Sequence, residues 1–91
     1  MPTYFRSNSE MIARDVDGEF FIIDENGGAI HYLNQSASAI WRLLDEPATA
    51  RSIISTFRFL YPDEDVASLK KSIRATLRQL SHLGVLRKQK R

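Results

Sequence analysis

Two adjacent residues, Leu33 and Asn34, divide this 91-residue chain into stretches with different hydrophobic periods. Before them, runs of β-branched and aromatic residues are separated by Asp17-Gly18 and Asn26-Gly27-Gly28. Asp-Gly is a favoured pair for a two-residue type I′ hairpin, because both positions need positive φ. After them, Ala37, Ile40, Trp41 and Leu44 recur at three- and four-residue spacing, the pattern of one buried helical face. Asn34 is a strong N-cap, since its side-chain oxygen can accept from the free N–H groups of a first helical turn. The chain is therefore expected to fold as a small sheet that turns into a helical half at a single hinge.

The strand half predicts three antiparallel strands in a meander: Met11 to Val16, Glu19 to Asp24, and Ala29 to Leu33. Tyr4 and Phe5 suit a short edge strand or packing on the sheet. The first helix is expected from about Ala37, or slightly earlier, to Leu44, stopping before Pro47. Thr49 can cap a second helix carrying Ile53, Ile54, Phe57 and Leu60, which ends before Tyr61-Pro62. Asp63 or Asp65 can cap a third, whose stripe is Val66, Leu69, Ile73, Leu77, Leu80 and Leu83, and Gly84 suits a left-handed C-terminal position. Val85 and Leu86 are expected to return as a short strand or anchor, and Arg87 to Arg91 to form a mobile basic tail. The expected fold is a single α+β domain over residues 1–91, winged-helix-like, with a three-stranded antiparallel sheet followed by three helices.

Composition removes several classes of function. There is no cysteine, so neither a disulfide framework nor thiolate chemistry is expected. His31 and His82 are too few and too isolated to suggest a metal site, and no cofactor is implied. The acids Asp15, Asp17 and Glu19 crowd a hairpin tip, where carboxylates serve solubility. Ser36, Ser38 and Ser55 have no convincing base partner. No catalytic residue is assigned, and the chain reads as a non-enzyme. No run approaches the ~20 apolar residues of a membrane span, and the expected location is cytoplasmic.

The formal charge of +2 hides an asymmetry. Residues 1–48 carry three arginines against eight acids, and residues 49–91 carry ten Lys and Arg against three acids. Charge of one sign draws partners of the other, so the second half is expected to meet an acidic peptide or a nucleic acid. Two features could receive a peptide. The Ala29–Leu33 strand is an edge if strand order is sequential, and an open edge pairs with a visiting strand. The third helix carries Lys70, Lys71, Arg74 and Arg78 beside its apolar stripe. The alternatives are an edge covered by a terminal segment and a merely solvated helix face. Most of the aromatic residues Phe20, Phe21, Tyr32, Trp41, Phe57 and Phe59 are expected in the core, with Tyr32 able to reach solvent.

The run from Tyr32 to Asp45, Tyr-Leu-Asn-Gln-Ser-Ala-Ser-Ala-Ile-Trp-Arg-Leu-Leu-Asp, resembles the hallmark of the PqqD-like family, the precursor-peptide chaperones also called RiPP recognition elements. Thr49 with Ile53 and Ile54, the break Tyr61-Pro62-Asp63, and Leu77, Leu80, Leu83-Gly84-Val85-Leu86 follow in the family's order. One departure is Glu46-Pro47-Ala48, where the family often has Gly, which implies a stiffer turn. The resemblance implies a non-catalytic domain that binds the leader of a ribosomally made precursor. It would present that precursor to a modifying enzyme such as a radical SAM enzyme, a leader peptidase or a cyclase. The leader would add as a strand beside Ala29, Ile30, His31 and Tyr32 and pack against Leu69, Lys70, Ile73, Arg74 and Leu77, with Arg78 adding charge. The alternative is a DNA-binding winged helix. Nucleic acid is disfavoured because the second helix offers Arg51 and Arg58 among Ser52, Ser55 and Thr56, with no Asn or Gln to pair with adenine.

Overall fold

Asn34 makes the hinge. In the computed structural model, which describes residues 2–7 and 11–89, its side chain accepts a hydrogen bond from the Ala37 N–H at 2.9 Å. Strand β4 (Ala29–Leu33) ends one residue earlier, and helix α1 (Gln35–Leu43) begins one residue later. The meander preceding the hinge comprises β2 (Met11–Val16) and β3 (Glu19–Asp24) with β4, in the order β2-β3-β4. Its first turn holds Asp17 at φ 53° and Gly18 at φ 88°, the two positive angles a type I′ hairpin needs. The other two helices are capped as their sequences require. Thr49 accepts from the Ser52 N–H at 3.1 Å at the start of α2 (Ala50–Leu60), and Asp65 accepts from the Ser68 N–H at 3.0 Å at the start of α3 (Val66–His82).

A second sheet was not expected. Strand β1 (Thr3–Arg6) is its centre, flanked antiparallel by β5 (Ala48–Thr49) and β6 (Leu86–Gln89). The expected mobile tail is therefore corrected for Arg87, Lys88 and Gln89, which pair with Phe5, Tyr4 and Thr3; Lys90 and Arg91 lie outside the described residues. The charged side chains stay exposed while the backbone is held by the ladder, and composition alone reports only the first of these. Arg6 fastens this sheet to the hinge helix. Its guanidinium donates to the Trp41 carbonyl at 2.8 and 3.3 Å and lies 4.4 Å from the Trp41 ring centre.

The core joins both halves. Ile22 and Leu33 from the meander, Ile40, Trp41 and Leu44 from α1, and Ile53, Ile54 and Phe57 from α2 are buried, together with Ile73, Leu77 and Leu80 from α3. Burying each large side chain is worth about 1.5–3 kcal/mol. Three expectations are corrected at its margin. Phe59 is 84% exposed, and Leu60 and Leu83 are also exposed. They stand where α2 and α3 run out and no neighbouring element closes over them.

Candidate functional site

Strand β4 is a free edge. It pairs with β3 from Asp24↔Ala29 to Phe20↔Leu33, and no strand among the described residues lies on its other side. The terminal strands do not cover it, because β1 and β6 pair with one another. Alternation sets Ile30 and Tyr32 on the outer face, exposed, and turns Ala29, His31 and Leu33 toward the body of the protein. The Tyr32 ring packs on Phe21 across the sheet at 5.3 Å between centroids. Glu19, accepting from the phenol, raises the Tyr32 pKa above its ordinary value; partial loss of solvent and the nearby negative charge act in the same direction.

Just beyond the end of β4, a cleft of about 640 Å³ opens between α1 and α3. The hinge places the two together, since the cleft's first residues, Gln35 and Ser36, follow Asn34 directly. Ala39, Ile40, Phe57, Leu69 and Ile73 give it apolar surface. Ser68, Ser72 and Thr76 add a row of hydroxyls from successive turns of α3, with Tyr61, Glu64, Asp65 and Arg42 completing the wall. Such a lining suits a chain with alternating apolar and polar groups.

The expected site residues divide into three groups. Leu69 is half-buried and Ile73 buried, and both line the cleft. Leu77 is fully buried in the core and does not line the cleft. Lys70, Arg74 and Arg78 are exposed but do not line the cleft. At 3.6 residues per turn, Lys70 and Arg74 stand roughly 160° around α3 from Ser72. The cleft opens on the opposite flank of the apolar stripe from these charges. Sequence reading missed Tyr61 and the hydroxyl row. The four-residue spacing of Ser68, Ser72 and Thr76 beside Leu69 and Ile73 was a visible signal for the row.

Ser38 holds the edge against the cleft wall. It is fully buried, donates to the Leu33 carbonyl at 2.9 Å and accepts from the Phe20 N–H at 2.9 Å, so one hydroxyl joins β3, β4 and α1. Arg42 acts at the hairpin tip. It donates to the Gly18 carbonyl at 2.8 Å, approaches Asp15 at 3.6 Å and lies 5.0 Å from the Phe20 ring centre. Among the described residues there is no cluster of His, Cys, Asp and Glu that could hold a metal ion, and no helix is long and apolar enough to cross a membrane.

Residues 19–86, from β3 to the start of β6, match the family described as Coenzyme PQQ synthesis protein D (PqqD). The chain belongs to the PqqD family. Its fold is also that of TbiB1, solved in complex with the TbiA(beta) leader peptide: the TM-score is 0.78 at 22% identity, covering 91% of this chain and 95% of TbiB1. No curated protein sequence matches the chain.

Proposed function

We propose that this PqqD-family chain binds the leader segment of a ribosomally made precursor peptide, without catalysing a reaction itself, and presents the precursor to a modifying enzyme. The observation that carries this reading is the juxtaposition of a free, uncharged strand edge with an amphipathic cleft at its end. Its fold likeness to TbiB1, a protein solved with a leader peptide, supports it. The leader adds as a strand along Ala29–Tyr32, and its side chains enter the cleft past Leu69, Ser72, Ile73 and Thr76. Backbone pairing gives affinity and the cleft gives selectivity. Lys70, Arg74 and Arg78 act at longer range, attracting an acidic leader and raising the association rate. The modifying enzyme is a radical SAM enzyme, a leader peptidase or a cyclase acting on the tethered core.

The test is calorimetry with synthetic leaders of precursors encoded near this chain. Ser72→Arg fills the cleft from an exposed position and should weaken binding at least about tenfold, roughly 1.4 kcal/mol. Unchanged affinity removes the cleft from the site. Absence of leader binding together with salt-steep binding to random duplex would instead establish the DNA reading.

A further inference from the structure

We propose that two copies of this chain pair through their β4 edges, occupying in the free protein the same backbone that receives peptide; the second half of this statement rests on the function proposed above. Among the described residues the two sheets present four edges, and three are blocked in familiar ways. Strand β2 carries Arg14 and Asp15, β6 carries Arg87 and Lys88, and β5 is only two residues long. Strand β4, Ala-Ile-His-Tyr-Leu, carries no Asp, Glu, Lys or Arg.

The strand is also close to self-complementary. An antiparallel two-fold axis through His31 sets Ile30 of one copy opposite Tyr32 of the other, twice. Both side chains project from the outer face, where they are 66% and 54% exposed. Each already has an apolar cross-strand neighbour, Ile23 for Ile30 and Phe21 for Tyr32. Pairing therefore produces a six-stranded sheet with a continuous outer stripe of aliphatic and aromatic groups, the kind of cross-strand contact that stabilises antiparallel sheets. Five residues per copy bury far less than a permanent dimer needs, so the association is weak and reversible. A second copy shields the apolar edge, and a peptide of higher affinity displaces it.

The absence of cysteine in the chain makes the register testable. In this pairing, residue 31 faces its own counterpart at an antiparallel Cα separation of about 4.5–5.5 Å, within disulfide range. Mild oxidation of His31→Cys should give a covalent dimer, whereas Ala13→Cys, on the exposed β2 edge, should not. Sedimentation velocity from about 10 µM to about 1 mM should show the wild-type mass rising toward twice 10.4 kDa. Ile30→Lys, with an unchanged circular-dichroism spectrum, should remain monomeric throughout. A monomeric wild type, a dimer that survives Ile30→Lys, or crosslinking of Ala13→Cys in place of His31→Cys overturns the pairing. Leader binding by the crosslinked His31→Cys dimer at wild-type affinity overturns the shared edge. Failure of the wild-type monomer to bind leader overturns only the function proposed above.

Discussion

Deleting one oxygen at Ser38 should cost more stability than most surface changes, and the structure supplies its own control. Ser38→Ala removes the acceptor of the Phe20 N–H and the donor to the Leu33 carbonyl, both at 2.9 Å, from a residue with no exposed surface. A buried backbone group that loses its partner costs about 1–3 kcal/mol, and the Phe20 bond is only partly buried, so the two together should cost about 2–4 kcal/mol. A domain of this length has a total stability of roughly 5–14 kcal/mol. The expected fall in melting temperature is roughly 10–25 °C. Ser81→Ala is the matched comparison. Its Oγ is buried with no hydrogen-bond partner among the described residues, so the same deletion removes an unsatisfied group and should be neutral or slightly stabilising. Urea denaturation of both variants, with the slope checked for constancy, measures the difference. A cost below about 1 kcal/mol for Ser38→Ala, or an equal cost for Ser81→Ala, would refute the assignment of Ser38 as the tie between β3, β4 and α1.

Arg42→Ala should loosen the β2–β3 hairpin, because it removes the bond to the Gly18 carbonyl and the contact with the Phe20 ring; hydrogen exchange should quicken at Gly18 and Glu19, with a global loss of about 1 kcal/mol. The raised pKa of Tyr32 means that its stabilising contribution is complete below the ordinary phenol value and is lost as pH rises through the folded-state value. Glu19→Gln should return the titration toward the ordinary value, followed by phenolate absorbance against Phe21→Ala as a packing control. Lys70→Glu with Arg74→Glu should slow association with an acidic leader at low salt and change little at high salt, because these charges stand away from the cleft wall. A loss confined to the dissociation rate in stopped-flow measurements would place them in direct contact instead.

Local chemistry was legible where one residue decides the outcome. Asn34, Thr49 and Asp65 cap the helices, and Asp17-Gly18 turns the first hairpin, because each needs only its near neighbours. The second sheet was not legible, because β1 pairs with β5 and β6 across most of the chain and two of those strands read as charged or too short. Which flank of α3 borders the cleft was not legible for a similar reason. An apolar stripe has two flanks, and periodicity does not say which one a neighbouring helix leaves open. The basic residues lie on one flank and the hydroxyl row on the other, and only the position of α1 distinguishes them.

That second sheet bears on the site. A terminal segment is a ready cover for an exposed edge in a small domain, and here both terminal strands are committed to each other. Ser7 reinforces the arrangement, its N–H donating to the Val85 carbonyl at 3.0 Å and its hydroxyl to the Gly84 carbonyl. Gly84, at φ 82°, lets α3 end and the chain turn directly into β6. Had residues 86–89 instead crossed to the meander, β4 would be an interior strand and the cleft would have no open backbone beside it. The hinge motif fixes where β4 ends, and the pairing of β1 with β6 leaves its edge open among the described residues.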